Sequence, residues 1–258
     1  MSVRSEPGSV PAALVDLTTR LGEPGRDLVA IAEGNTSTLV SEGLLAVKAS
    51  GSRMERATSA DFVLVDVAAA ADLLDDPGAT QADLSALLTV SAGTAAGLRA
   101  SIETLLHVAA VTAGGATWVA HTHPTAVVGA VSVVGAQQWW RAPLFPDEAV
   151  VVGRPAWVGY EEPGLALGRA VLAAIRRGVA ETGRPPGCVL LGNHGLVALG
   201  GSADEVEAVT AMTVKAARTR AVAAAFGAPA WLDGDAGDQL AGRPDEIARR
   251  QRLAGSPS

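Results

Sequence analysis

The pair His121-Thr122-His123 constrains this chain more than any other feature. It closes Thr117 to His121, an apolar strand-like run. Strand residues two apart point to the same face, so two imidazoles can converge on one ion. A catalytic metal needs a third protein ligand and an open position. His194 is the candidate. It sits in Gly192-Asn193-His194-Gly195, where the backbone must turn and the side chain can project. Alone, an H-x-H pair often arises by chance, and a lone histidine in a turn is more often structural. The pattern gains weight because the chain has only four histidines in 258 residues, and three of them lie in these two motifs. The fourth, His107, stands four residues after Glu103 on one face of a predicted helix. That pair reads either as an ordinary, partly exposed helical couple or as a carboxylate that binds metal or moves a proton, backed by a histidine.

The surrounding pattern is α/β. Residues 10–21 have helical spacing and stop at Gly22, residues 36–49 read as two strands about Ser41-Glu42-Gly43, and Phe62 to Val67 as another. Residues 68–99 are Ala-rich, part helix and part loop. Ser101 is predicted to cap a helix over 102–113, closed by Gly114-Gly115. Residues 135–164 hold most of the tryptophans and read as a long irregular segment. A helix over 165–181, strands over 188–192 and 195–199, and a helix from 203 to about 225 behind the Ser202/Glu205 capping box follow. Elements alternate without a repeat or a long linker, which predicts one α/β domain over 1–230, then a tail over 231–258 with a short helix after Pro244.

Composition removes several classes of function. The hydrophobic fraction of 48% supports a sizeable core, and a charged fraction of 18% argues against disorder. A net charge of -7, with only the pairs Arg176-Arg177 and Arg249-Arg250, argues against nucleic acid. The single cysteine, Cys188, excludes an internal disulfide and reads as a buried strand residue. Val119 to Val134 comes nearest to a membrane span but is broken by two histidines, a proline and a serine. The first twenty residues show no secretory signal. A cytoplasmic protein with no membrane partner is expected.

Five motifs together resemble the class II aldolase/adducin family. Gly34-Asn35-Thr36-Ser37 is similar to its G-N-x-S loop. Lys48-Ala49-Ser50-Gly51, with Asp61 and the strand Val63-Leu64-Val65-Asp66, is similar to its [TK]-x-S-G segment. Ser101-Ile102-Glu103-Thr104 with His107 resembles S-x-E-x-x-x-H, and His121-Thr122-His123-Pro124 resembles H-x-H-[SP]. Asn193-His194-Gly195, followed by Gly200 and Glu205, resembles the family's N-H-G segment. The motifs run in family order over residues 34 to about 210, and the K-A-S-G and S-I-E forms resemble the rhamnulose-phosphate aldolase branch. The family spans fuculose- and rhamnulose-phosphate aldolases, sugar-phosphate epimerases, a dehydratase, 3-oxo acid phosphate decarboxylases and non-catalytic adducin heads.

The resemblance implies a three-layer α/β/α fold about a mixed, mainly antiparallel sheet. It implies Zn2+, or Mn2+ or Co2+, on His121, His123 and His194. Glu103 would be the fourth ligand and the acid/base of a reversible aldol cleavage through a metal-stabilised enediolate. Gly34, Asn35, Ser50, Gly51 and Ser101 would hold the phosphate of a small sugar phosphate, with Lys48 adding charge or standing at a strand edge. Relatives take a second acid from a neighbouring subunit's tyrosine, and Tyr160 is the one tyrosine here. A homotetramer is implied, and Trp139-Trp140 fits either an interface or a local core. Ala100 replaces the family's usual proline and Ile102 a serine of some members, so one anion donor is missing. Decarboxylation, epimerisation or dehydration on the same site, and an adducin-like interaction domain, are the alternatives.

Overall fold

The computed structural model describes residues 3–4, 6–90, 97–232, 239–240 and 242–253. Its frame is a sheet whose strands are buried on both faces. In β7 (Cys188–Leu191) and β8 (Gly195–Gly200) nearly every residue is buried, as expected where helices cover both sides. The other strands are β1 (Val3–Arg4), β2 (Asn35–Ser41), β3 (Leu44–Lys48), β4 (Phe62–Asp66), β5 (Trp118–Thr122) and β6 (Ala156–Val158). Their order is β1-β4-β3-β2-β5-β8-β7-β6. All neighbours are antiparallel except β6 and β7, the mixed, mainly antiparallel sheet that the resemblance implied.

Strand alternation divides the core in two. Val47, Val63, Val119, Val189 and Val197 face one side and pack against α2 (Val67–Asp75), α4 (Thr104–Gly114) and α8 (Leu165–Thr182) through Leu74, Leu105, Val108 and Ile175. Ala120, Cys188, Leu190, Leu196 and Ala198 face the other side. They meet α1 (Ala12–Leu21), α5 (Thr125–Val131) and α9 (Ala203–Phe226) through Leu17, Leu21, Val127 and Val206. Each fully buried aliphatic side chain of this kind contributes about 1.5–3 kcal/mol of transfer free energy. The three-layer α/β/α architecture follows.

Three local expectations are corrected. Helix α4 starts at Thr104, not at residue 102. The Ser101 hydroxyl accepts from the Glu103 amide at 3.2 Å, so Ser101 closes a turn and Glu103 takes the cap position. The segment 135–164 is not irregular: it holds α6 (Ala136–Trp139), α7 (Pro146–Val151) and β6. These pieces are too short to show a period; contacts from α9 hold α6 and α7, while β6 pairs with β7. The Arg220 guanidinium stacks 4.0 Å from the Trp140 ring centroid, pairs with the buried Glu148 and donates to the Trp139 carbonyl at 2.8 Å. Trp140 is thereby part of a local core. Lys48 is not at an exposed edge but fully buried. The Ala-rich stretch contains α2 and α3 (Gln81–Leu88), started by an Asp66 cap and a Thr80/Asp83 box. Its residues 91–96 lie outside the described residues.

Candidate metal centre and cleft

Strand β5 delivers His121 to the α4 side of the sheet, directly opposite Asn35 of β2. His123 follows at the strand end. His194 comes from the turn between β7 and β8, where Asn193 takes a left-handed φ of 56° that asparagine tolerates better than most residues. Gly195 lets this turn approach β5, since a Cβ there would stand 2.5 Å from the Thr122 carbonyl oxygen. Glu103, at the start of α4, completes the group. One ligand atom from each of Glu103, His121, His123 and His194 lies within 4.8 Å of all the others.

The donor set suits a divalent cation. The Glu103 carboxylate lies 3.3 Å from His121 Nε2 and 2.9 Å from His194 Nε2. His121 Nε2 and His123 Nε2 are 2.8 Å apart. Tetrahedral ligands about 2.0–2.1 Å from Zn2+ stand roughly 3.3 Å from each other. The far nitrogens settle the tautomers. His121 Nδ1 faces the Leu196 carbonyl at 2.8 Å and His123 Nδ1 faces the Glu33 carboxylate at 3.1 Å. Both partners only accept, so both Nδ1 atoms carry hydrogen. The two facing Nε2 lone pairs then need a positive charge between them. A proton on His121 meets part of that need, whereas a divalent ion meets three nitrogens and the carboxylate together.

Electrostatics agree. Burial alone would push the Glu103 carboxyl up, but His121 and His194 outweigh it and hold the group far below the usual carboxylate range. Burial likewise opposes a charge on His121, yet Glu103 and the Leu196 carbonyl outweigh it and raise that pKa. Burial, with repulsion from His121 and His194, lowers His123 to about 3. Glu103 is therefore ionised and His123 neutral, the forms that bind a metal, while His121 has a proton to give up to an ion.

Beside the cluster lies a cleft of about 230 Å³. Gly34, Asn35, Lys48, Ser50, Gly51, Ser101, Glu103 and His123 line it, so residues far apart in the chain share one wall. Gly34 has φ +74°, and a Cβ there would meet Val29 Cγ1 at 2.6 Å and the His121 carbonyl oxygen at 3.0 Å, so glycine is required. The Asn35 amide nitrogen donates to Ser101 Oγ at 3.0 Å and Glu103 Oε2 at 3.1 Å. Lys48 Nζ donates to the Ala49 carbonyl at 3.1 Å and to that of Ser52, folding the loop around itself. Burial lowers its pKa to about 8, with Asp61 and Glu103 partly offsetting this. Ile102 and Pro163 make part of the lining apolar. Tyr160 is not brought to this cleft: it is 63% exposed and outside the lining. Glu33, behind His123, went unnoticed in the sequence; the only signal was an acid directly before Gly34.

Residues 12–221 match the model of the class II aldolase and adducin N-terminal domain. No curated protein matches the sequence. Among solved structures, an L-fuculose 1-phosphate aldolase from Glaciozyma antarctica is 19% identical with a TM-score of 0.64, covering 94% of this chain and 88% of that one. YgbL from Klebsiella pneumoniae, a candidate aldolase/epimerase/decarboxylase, is 19% identical with a TM-score of 0.63, covering 88% and 95%. The class II aldolase domain of a conserved Thermoplasma acidophilum protein is 20% identical with a TM-score of 0.61, covering 80% and 91%. At these identities the likeness is one of fold.

Proposed function

This chain belongs to the class II aldolase and adducin N-terminal domain family, and from that premise we propose that it is a divalent-metal lyase, cleaving and joining a carbon–carbon bond in a ketose phosphate or related hydroxy-carbonyl compound. The observation that carries the reading is the convergence of His121, His123, His194 and Glu103 at the wall of the cleft lined by Gly34, Asn35, Ser50, Gly51 and Ser101. A bound Zn2+, with Mn2+ or Co2+ as substitutes, supplies Lewis acidity for the charge that develops on the substrate oxygens.

The residues of the chain do the rest. Glu103, displaced from the cluster by substrate, takes the proton from the carbon beside the carbonyl in the aldol direction and returns it in cleavage. Asn35 holds Glu103 Oε2 by its amide and so aims the carboxylate. Ser50, Gly51 and Ser101 offer hydroxyl and backbone donors to the anion, and Lys48 shapes their loop. Exposed Tyr160 fits a second acid that acts in a neighbouring subunit's cleft. Family membership supports a cytoplasmic homotetramer, and light scattering on the purified protein tests the assembly.

Ile102 in the cleft lining favours a second reading of the substrate, a carboxylate or unphosphorylated compound whose binding needs fewer donors, and decarboxylation, epimerisation or dehydration are the alternative reactions on the same site. Product analysis decides between them. The metal-loaded enzyme is given a panel of ketose phosphates and 3-oxo acid phosphates. Aldehyde and ketone phosphate products support the aldol cleavage, and carbon dioxide, an epimer or a dehydrated product overturns it. A chain that binds no divalent metal and gives no product supports the adducin-like alternative.

A further inference from the structure

The loop between Asp27 and Gly34 is fastened at its start to the end of β5. The His123 amide donates to the Leu28 carbonyl at 2.8 Å, and the Thr125 hydroxyl donates to the Asp27 carboxylate at 2.8 Å. Inside the loop Ile31 has φ +56°, a conformation unfavourable for a β-branched residue. Its side chain is 81% exposed, so no packing of that side chain accounts for the strain. What the turn does is close residues 30–33. The Glu33 amide donates to the Ala30 carbonyl at 3.1 Å, and the Ala30 amide donates to Glu33 Oε1 at 2.6 Å. That leaves Oε2 facing His123 Nδ1 at 3.1 Å.

The carboxylate is thus held at one oxygen by the loop and spends the other on an imidazole. The two histidines of the H-x-H pair differ in how they are held. The His121 side chain is fully buried, with the Leu196 carbonyl behind it, whereas the His123 side chain is 18% exposed at the cleft. Packing orients the first; the second depends more on a hydrogen bond.

We propose that Glu33 is a positioning residue for the metal centre, holding His123 in its Nδ1–H form and aiming Nε2 at His121, His194 and Glu103. This rests on the metal reading above. A carboxylate behind a ligating imidazole also enriches the ring in electrons and adds negative charge near the ion, both of which tighten binding. Glu33 is a positioning residue and not a ligand, because His123 stands between it and the cluster.

The test uses the full chain stripped with chelator, as wild type, Glu33→Gln and Glu33→Ala. Each is titrated with Co2+ alone, read by calorimetry and by the visible absorption of the bound ion. The tautomer of His123 is read in the metal-free protein by 15N-detected NMR. Glu33→Ala is expected to weaken Co2+ by about 10- to 100-fold and to move His123 into a tautomer mixture. Glu33→Gln, whose amide oxygen still accepts, falls between. Melting of the metal-free variants stays at the wild-type temperature, since Glu33 is partly exposed and outside the core clusters. Equal Co2+ affinity in all three proteins, or a His123 tautomer that does not change in Glu33→Ala, overturns the proposal. A wild-type chain that takes up no Co2+ overturns the metal reading itself, and this proposal with it.

Discussion

His107 Nε2 donates to the side-chain oxygen of Asn35, and this contact decides which end of that amide faces the cleft. Burial, with the charge on His121, lowers the His107 pKa to about 3, so the ring is neutral and carries one hydrogen. The Glu103 carboxylate only accepts, so the Asn35 amide nitrogen faces it and the Asn35 oxygen faces His107; the ring hydrogen is then on Nε2, and Nδ1 accepts from the Ser37 hydroxyl at 2.7 Å. With its oxygen taken, Asn35 presents only N–H groups to Ser101 and Glu103. A flipped amide would set an oxygen against a carboxylate. The chain Ser37–His107–Asn35 therefore links the sheet to both Ser101 and Glu103.

His107→Ala breaks that chain. It orphans the Asn35 oxygen and the Ser37 hydroxyl and leaves a cavity under α4. Each orphaned buried group costs about 1–3 kcal/mol, so a loss of at least about 2 kcal/mol is expected in urea unfolding. Metal stoichiometry should survive, because His107 is not a ligand. An unchanged unfolding free energy would contradict the relay.

Glu103→Gln keeps the shape and one ligand oxygen but abolishes the base. Turnover is expected to fall by about 10²- to 10⁴-fold while elemental analysis still finds the ion on the histidines. Full turnover by a metal-loaded variant would remove Glu103 from the chemistry.

Metal binding should release a proton near neutral pH. The His121 pKa is raised in the folded chain, so the ring holds a proton there that an ion must displace. Affinity then falls as pH drops through that raised pKa, and calorimetry in buffers of different ionisation enthalpy should report up to about one proton per ion. Heats independent of the buffer would show that His121 is already neutral.

Lys48 makes a stability prediction with a definite sign. Its folded pKa of about 8 lies below the unfolded value of 10.5, so the unfolded chain holds the proton more tightly. The buried charge therefore costs stability below pH 8, and the cost fades as pH rises from 8 towards 10.5. At 1.36 kcal/mol per pH unit the full effect is about 3 kcal/mol. Compared with Lys48→Met in denaturant unfolding from pH 7 to 10, the wild type should gain stability relative to the variant. A difference flat with pH would mean that the ammonium is well solvated.

The strands and long helices were legible because periodicity reports burial directly. β7 and β8 are runs of apolar residues about a turn, and α9 starts at a capping box visible as Ser202 and Glu205. Where periodicity fails, so does reading. α6 and α7 span 4 and 6 residues, and their hold on the molecule is Arg220, some eighty positions along the chain. The α4 start was misread because a serine hydroxyl can cap a helix or close a turn, and only the backbone path around Ser101 tells which.

For the site the division is similar. Sequence alone determined that His121 and His123 share a face, because strand alternation is a local rule, and ordered motifs pointed to His194, Glu103 and the loops at 34–35 and 48–51. Tertiary structure decided how these groups are aimed. Asn35 meets His121 through strand pairing, His107 meets Asn35 across 72 positions, and Glu33 reaches His123 across 90. A hydrogen-bond partner so distant leaves no local pattern, since folding sets it by how the sheet and α4 pack. The members of the candidate metal cluster could thus be named from the chain, while their orientation and support are properties of the fold.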